Sequence, residues 1–224
     1  NTLLQKADAA ANESKKKKLP YFEYDKELDS HSVERLQLVN QLKNAIKSNE
    51  LVLFYQPKLD LKQKRVTHVE ALVRWQHPEN GMIPPDQFIS IAENTGQMNA
   101  LTHWVLVEAA KQYKSWQKQG VNLSIAVNIS AENLKDKNFC KQILDLISSQ
   151  NLPLDAILLE ITEESVVDDT NLAIEILSYL RGHGLKISID DYGTGYSSLA
   201  QLKKLPVHEL KIDRDETFKY TEEI

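Results

Sequence analysis

The chain contains little cysteine, glycine or proline and no long apolar run. Its 224 residues include one cysteine, Cys140, with seven glycines and seven prolines. A lone cysteine cannot form an internal disulfide, and so few glycines and prolines exclude a collagen-like or low-complexity chain. No run approaches the roughly 18 apolar residues that a bilayer-crossing helix needs. We therefore expect a folded domain in the reducing cytoplasm, without membrane contact from this segment, although flanking sequence could tether the parent protein to a membrane.

An excess of positive charge is also missing. The chain has 27 Lys and Arg residues against 32 Asp and Glu residues, which gives a formal net charge of -5. Because polymeric nucleic acids are bound by basic surfaces, this balance argues against nucleic-acid binding. A phosphate-bearing ligand must then be held by a local site.

From residue 51 onward, short β-type runs alternate with longer amphipathic runs. The predicted strands are Leu51–Gln56, Val66–Val73, Leu123–Asn128, Ile157–Ile161, Leu185–Asp190 and Glu209–Ile212. The helices predicted between most of them are Pro85–Asn94, Met98–Gln119, Ala131–Gln150, Asn171–His183 and Ser197–Leu205. This alternation indicates a parallel sheet with crossover helices, which is the α/β class. Periodicity alone leaves an open sheet and a closed barrel nearly equal, but no glycine-rich phosphate loop follows the first strand, and this favours the barrel.

Residues 1–50 show a different pattern. A helical run precedes four lysines, Lys15–Lys18, and a short apolar run, Leu19–Tyr24, is typical of a strand. A second helix is expected from Ser32, with Val39 and Leu42 on one face. We expect residues 31–50 to be a helix that links the main domain to an upstream unit.

Several predicted strands carry an acidic or amide residue near the carboxyl end of an apolar run. These residues are Glu70, Asn128, Glu160 and Asp190, and Asp191 follows the last of them. The carboxyl ends of barrel strands meet at one mouth, so the side chains are expected to converge. Because a buried carboxylate is unfavourable unless it is paired or bound to metal, the pattern indicates a cation site. Oxygen ligands suit Mg²⁺ or Mn²⁺, and Asp191 adds a ligand for a second ion.

The alternative is that these acids form buried ion pairs with Lys186, Lys211 or Arg74. The excess of acids over bases argues against full neutralisation. Lys211 lies at the corresponding place on the next predicted strand. It is either a counter-ion or a residue that stabilises negative charge and orients an attacking water.

These residues lie in motifs that resemble the EAL domain, the cyclic di-GMP phosphodiesterase family of bacterial signalling proteins. The motif that names the family is present as Glu70-Ala71-Leu72. Other matching segments, in the expected order, are Tyr55-Gln56-Pro57, Ile83-Pro84-Pro85, Ala92-Glu93-Asn94-Thr95-Gly96, Asn128-Ile129-Ser130, Glu160-Ile161-Thr162-Glu163, the loop Asp190–Leu199 and Leu210-Lys211-Ile212-Asp213. The expected domains are an EAL-type barrel over residues 51–224 and, over residues 1–30, a remnant that weakly resembles the end of a GGDEF domain.

The resemblance implies a modified (β/α)8 barrel of the triosephosphate-isomerase type and a role for each matching residue. The implied ligands of two Mg²⁺ or Mn²⁺ ions are Glu70, Asn128, Glu160, Asp190 and Asp191. Besides Glu70, the implied catalytic residues are Lys211, beside the attacking water, and Glu163, which holds the loop at 191–197. The implied ligand contacts are Gln56, Leu72 and Arg74. The implied reaction opens one phosphodiester of cyclic di-GMP to give linear 5′-pGpG.

The family pattern continues through two further strands that bring another glutamate and a glutamine to the site, and these strands are missing from this chain. We expect a longer chain or a second copy to complete the barrel, and a homodimer formed through the barrel domain. Two other functions stay open: a receptor that binds cyclic di-GMP without cutting it, and a barrel used only for dimerisation. Degenerate EAL receptors typically lose metal ligands or the loop, so the intact visible set favours catalysis.

Overall fold

The computed structural model describes residues 37–167, 170–193 and 205–212, together with eight positions between residues 6 and 23. The strands are β1 (Leu51–Asp60), β2 (Arg65–His77), β3 (Gly81–Ile83), β4 (Ser124–Ile129), β5 (Ile157–Thr162), β6 (Lys186–Tyr192) and β7 (Glu209–Ile212). The helices are α1 (Pro85–Asn94), α2 (Met98–Lys118), α3 (Ala131–Lys135), α4 (Lys137–Ser149), α5 (Glu163–Val167) and α6 (Thr170–Gly182). Residues 37–45 form a further helical segment. Most of residues 1–30 and, except for Leu205, the predicted helix Ser197–Leu205 lie outside the described residues.

The first two strands form an antiparallel hairpin, and the prediction of parallel pairing is wrong for β1. β1 pairs with β2 along its whole length. Four residues, 61–64, separate the two strands, whereas a parallel crossover needs about a dozen. Asp60 closes the turn, because its Oδ1 accepts hydrogen bonds from the backbone N–H groups of Lys62 and Gln63 at 2.8 Å each.

The other long strands run parallel in the order β2, β4, β5, β6 and β7, and the short β3 pairs antiparallel with β2. Helices α1 to α6 fill the connections between β3 and β6. The central strand β5 is almost entirely buried, and β4 is buried except at Ser124 and Asn128, as expected for parallel strands covered by helices. The predicted α/β class is confirmed, and the parallel strands all end at the same edge of the sheet.

The long helix predicted over 131–150 is two helices that meet at Asp136. This residue has extended backbone angles (φ -101°, ψ 100°), and its side chain accepts a hydrogen bond from the Asn138 N–H. An aspartate in this position satisfies the free amide of a new helix and competes with continuation of the previous one. The prediction of a single helix is therefore wrong, because Asp136 interrupts it. Among the described helices, none combines the length and hydropathy that spanning a bilayer requires.

The helical segment 37–45 packs against the main domain. Its Leu42 and Ala45 are fully buried in a second apolar cluster built around Trp75 and Phe88. The rings of Trp75 and Phe88 meet edge-on with their centroids 5.9 Å apart, a favourable aromatic geometry. A side-chain contact adds to this packing, because Gln97 Nε2 donates to the Val39 carbonyl at 3.2 Å.

A buried hydrogen-bond network fixes the turn between β4 and α3. Asn133 is fully buried, and its Oδ1 accepts from Thr102 Oγ1 and from the backbone and side chain of Ser130, each at 3.0 Å. Its Nδ2 donates to Asn99 Oδ1 at 2.8 Å, and Asn99 Nδ2 donates to Asp136 Oδ2 at 2.8 Å. Satisfied buried networks of this kind restrict the backbone to one arrangement. The turn that follows the end of β4 is therefore tied to α2 and to the start of α4.

Replacement of Leu42 by alanine tests the docking of segment 37–45. We expect Leu42→Ala to lower the free energy of unfolding by about 2–5 kcal/mol, because it leaves a cavity in a fully buried position. Urea denaturation followed by circular dichroism measures the change. As a control, Leu61→Ala at a position that is 81% exposed should change it by less than about 0.5 kcal/mol. Equal effects of the two variants would contradict the packing of this segment.

Asn133→Ala tests the network at the β4–α3 turn. The variant leaves the buried Thr102 hydroxyl and the Ser130 N–H without their acceptor, so we expect a loss of about 2–3 kcal/mol in the free energy of unfolding. The same denaturation experiment applies, with Asn138→Ala at an exposed position of α4 as the matched control. A loss no larger than that of Asn138→Ala would show that the network contributes nothing.

Candidate active site

Three carboxylates from three different strands meet at the carboxyl edge of the sheet. Glu70 of β2, Glu160 of β5 and Asp190 of β6 each offer an oxygen, and these oxygens lie within 4.8 Å of one another. The Glu160 side chain is fully buried, whereas Glu70 and Asp190 are 15% and 17% exposed. The structure thus brings together three of the residues that the sequence analysis selected. We call this group the carboxylate cluster.

Strand register explains the convergence. Glu70 lies opposite Gln56 of β1 and Ala126 of β4, and Asn128 lies opposite Glu160. Successive side chains of a strand point to opposite faces, so residues two apart share a face. The polar side chains therefore occupy adjacent levels on one face of the sheet, and Glu70 lies near the end of the part of β2 that pairs with β4.

Asn128 and Asp191 flank the carboxylate cluster in different ways. Asn128 Nδ2 donates to Glu70 Oε1 at 3.0 Å, which fixes one oxygen of that glutamate. Asp191 has a left-handed backbone (φ 52°) at an irregularity in the pairing of β6 with β7. Its backbone N–H donates to Asp190 Oδ1 at 2.8 Å. Asp191 does not belong to the cluster of three, and its backbone orients the neighbouring carboxylate.

The Lys211 ammonium lies among the carboxylates. Its Nζ is 3.2 Å from Glu70 Oε2 and 3.2 Å from Glu160 Oε2, and it also donates to Asp190 Oδ2. Burial alone would lower the pKa of Lys211, but the Asp190 hydrogen bond and the charges of the two glutamates raise it overall. The ion-pair arrangement considered as an alternative for these acids is therefore present for Lys211. It also shows that a positive charge is favourable at this point.

A second lysine, Lys58 of β1, reaches the carboxylate cluster and was missed from the sequence. Its Nζ donates to Glu160 Oε1. Burial raises the pKa of Glu160, while the contacts with Lys58 and Lys211 oppose that rise. The available signal was spacing, because Lys58 follows Gln56 by two residues and so shares its face of β1.

Glu163 contacts the backbone just after β6. This residue is buried, and its Oε2 accepts a hydrogen bond from the Gly193 N–H at 2.9 Å. Gly193 has a φ of 107°, a conformation that glycine adopts without strain. The contact ties α5 to Gly193, the fourth residue of the predicted loop Asp190–Leu199, and residues 194–199 of that loop lie outside the described part of the chain.

A cleft of about 610 Å³ adjoins the carboxylate cluster through Asn128, which lines the cleft and donates to Glu70 Oε1. The three carboxylates themselves are not among the described lining residues. The walls of the cleft are largely apolar and include Leu72, Ile89 and Met98, while Arg74 and Asn128 are among its polar residues. This volume and composition are typical of a small-molecule site. Of the predicted ligand contacts, Leu72 and Arg74 line the cleft, whereas Gln56 is exposed on β1 and lies outside the lining.

Arg74 is held by two local contacts. Its Nη1 donates to the Val73 carbonyl at 2.8 Å, and its guanidinium lies 5.8 Å from the centre of the Phe54 ring. A guanidinium carries five N–H donors, so donors remain for a ligand in the cleft.

Three further glutamates line the same cleft and were not selected from the sequence. They are Glu93, Glu132 and Glu164. Burial and, to a lesser extent, the charges of Glu132 and Glu164 raise the pKa of Glu93. Glu93 lies in the matching segment Ala92-Glu93-Asn94-Thr95-Gly96 but received no role there, and the local sequence of Glu132 and Glu164 resembles that of exposed helical glutamates. The three residues come from separate connections of the fold, so their convergence is visible only in the structure.

The chain matches the EAL domain family model over residues 39–223. The bifunctional diguanylate cyclase/cyclic di-GMP phosphodiesterase MucR of Pseudomonas aeruginosa is 39% identical over 214 residues, which are 95% of this chain and 31% of MucR. The cyclic di-GMP phosphodiesterase PdeR of Escherichia coli K12 is 38% identical over 191 residues, which are 84% of this chain and 28% of PdeR. The chain thus spans about a third or less of the curated relatives that it matches.

Solved structures agree with this assignment. A complex of the PaMucR phosphodiesterase with c-di-GMP has a TM-score of 0.77 at 40% identity and covers 83% of this chain and 75% of its own. The cGMP-bound form of the EAL enzyme Bd1971 has a TM-score of 0.76 at 34% identity and covers 86% of this chain and 54% of its own. The predicted fold, an α/β modified barrel, is confirmed. The chain belongs to the EAL domain family.

Proposed function

We propose that this chain hydrolyses one phosphodiester bond of cyclic di-GMP and releases linear 5′-pGpG. The observation that carries the proposal is the carboxylate cluster, which Asn128 joins to a ligand-sized cleft lined by Arg74. The relatives MucR and PdeR are named as cyclic di-GMP phosphodiesterases, which supports the substrate. The c-di-GMP complex of PaMucR supports it as well.

The proposed reaction depends on Mg²⁺ or Mn²⁺. Glu70, Asn128, Glu160 and Asp190 would hold one ion, and Asp191 would add a ligand for a second. The donor set fits, because carboxylate and amide oxygens are the ligands that hard divalent cations prefer. The position of the Lys211 ammonium among three carboxylates supports the same conclusion. Bound divalent ions supply a water of lowered pKa and offset negative charge on the phosphate oxygens.

The chain's own residues bind and orient the substrate. Arg74 donates hydrogen bonds to a phosphate, for which its planar fork is suited. Leu72 forms part of the apolar wall against which a base packs, and Gln56 contacts the ligand from β1. These roles place the nucleotide between the cleft and the carboxylate cluster.

Lys211 and Glu163 act on the reacting group and on the adjacent loop. The Lys211 ammonium holds the attacking water by a hydrogen bond and stabilises the negative charge that develops on the phosphate. Glu163 positions the loop after β6 through its bond to the Gly193 N–H. Loss of Glu163 is therefore expected to act through the loop rather than on the phosphate.

The second candidate is a receptor that binds cyclic di-GMP and passes the signal on without cutting it. The contacts of Lys211 and Lys58 with the carboxylates favour this candidate when no metal ion competes, because the two ammonium groups offset two of the three negative charges of the cluster. Against it, all five proposed metal-binding side chains are present in the chain. We therefore rank hydrolysis first.

Other features of the protein stay predictions. Residues 1–30 are proposed to be the end of a GGDEF domain, and the match to the bifunctional MucR over 95% of this chain supports the proposal. A homodimer through the barrel and a cytoplasmic location are also proposed. Neither is needed for the chemistry above.

Glu70→Ala tests the hydrolysis. We expect the unsubstituted protein to convert cyclic di-GMP to 5′-pGpG in Mn²⁺ or Mg²⁺, and the variant to lose at least ~100-fold in kcat, because one carboxylate of the cation site is gone. Liquid chromatography of the nucleotides measures the product. Glu79→Ala, at an exposed position of the turn after β2, is the matched control and should retain full activity.

Binding must be measured separately from turnover. A thermal shift with cyclic di-GMP in Ca²⁺ reports binding, and the product assay in Mn²⁺ reports hydrolysis. If the unsubstituted protein binds cyclic di-GMP but forms no 5′-pGpG, the protein is a receptor and the proposed hydrolysis is wrong. Full activity of Glu70→Ala would contradict the proposed site even if the protein is a phosphodiesterase.

A further inference from the structure

Lys58 brings a second positive charge to the carboxylate cluster, and the proposed reaction does not use it. It enters from β1, the antiparallel strand, opposite His68 of β2. Its Nζ donates to Oε1 of Glu160, which is the only fully buried member of the cluster. A charge-assisted hydrogen bond to a buried carboxylate is among the stronger polar contacts in a protein.

The two lysines divide the oxygens of Glu160 between them. Lys58 contacts Oε1, whereas Lys211 lies 3.2 Å from Oε2. Lys211 also contacts Glu70 and Asp190, so it occupies the point that the three carboxylates share. Among the described members of the cluster, Lys58 contacts Glu160 alone. Lys58 therefore contacts Glu160 at the oxygen that Lys211 does not contact, and Oε2 is the oxygen that faces the point shared by the three carboxylates.

We propose that Lys58 is a positioning residue that fixes the Glu160 carboxylate with Oε2 directed at the cation site. The inference rests on the proposed metal-dependent function. Partners that hold a metal ligand from outside the coordination sphere set its orientation, and their loss typically weakens metal binding by 10–100-fold. Without Lys58, Oε1 would be a buried oxygen without this partner, and the side chain would turn to find another.

A plain counter-ion role for Lys58 predicts the opposite result. If Lys58 contributed only positive charge, its removal would reduce repulsion of an incoming cation and strengthen cation binding. Positioning predicts weaker binding. The sign of the change in cation affinity therefore separates the two roles.

Lys186 provides a matched control. It is a half-buried lysine of β6 and, like Lys58, its charge lowers the pKa of His68, so the two lysines lie near the same imidazole. Within the described part of the chain, Lys186 donates no hydrogen bond to the carboxylate cluster. Lys186→Met removes the same charge without removing a contact to Glu160.

The experiment is titration of the protein with Mn²⁺ by isothermal calorimetry, without nucleotide and therefore without turnover. We expect Lys58→Met to raise the Kd for Mn²⁺ by at least ~10-fold, Lys58→Arg to restore most of the affinity, and Lys186→Met to leave it unchanged or slightly tighter. Thermal melts in EDTA establish that each variant is folded. If Lys58→Met does not fold, Lys58→Leu takes its place with the same expected result, since it also removes both the charge and the donor.

The outcomes separate this inference from the proposed function. Mn²⁺ affinity of Lys58→Met that equals or exceeds that of the unsubstituted protein overturns the positioning role and leaves the phosphodiesterase proposal intact. Loss of affinity in Lys186→Met of the same size as in Lys58→Met also overturns it, because the effect would then be one of general charge. Absence of Mn²⁺ binding in the unsubstituted protein removes both proposals.

Discussion

Mutual repulsion among three carboxylates is the constraint on which the site depends. Glu70, Glu160 and Asp190 lie within 4.8 Å of one another, and Glu160 has no exposure to water that could screen its charge. Three ionised carboxylates at this distance are stable only beside a positive charge, because without one a carboxylate would take up a proton. Lys211 provides that charge at the centre and Lys58 provides it behind Glu160. A cation is therefore an integral part of this site, whether it is an ammonium or a metal ion.

The fold supplies the rigidity that holds these charges in place. Parallel strands with apolar helix-facing residues form the main core, and β2, β4, β5, β6 and β7 carry the polar side chains of the site. Hydrogen bonds outside the carboxylate cluster then fix individual segments. Asn133 ties the turn after β4 to α2, and Glu163 ties α5 to Gly193. The rigid strands, together with the hydrogen bonds of Asn133 and Glu163, keep the carboxylates close in spite of their repulsion.

The strands and the acidic residues could be predicted from the sequence because both are carried by local patterns. Alternating strand and helix runs gave the α/β class, and an acid at the end of an apolar run is visible without a structure. The antiparallel pairing of β1 follows from the connection between β1 and β2, whose four residues are too few for a parallel crossover. The spacing of Lys58 from Gln56 indicates that they share a face of β1, but its partner Glu160 is 102 positions away, and no local pattern predicts a contact of that range. The cleft glutamates were missed for the same reason.

Anomalous diffraction from crystals soaked in Mn²⁺ tests the central claim most directly. If the carboxylate cluster is a cation site whose centre is held by Lys211, a manganese peak should lie among Glu70, Glu160 and Asp190. The Lys211 ammonium should then have left the shared point, while Lys58 remains bonded to Glu160. A structure in which Lys211 keeps its three contacts at saturating Mn²⁺, with no peak among the carboxylates, would contradict the account.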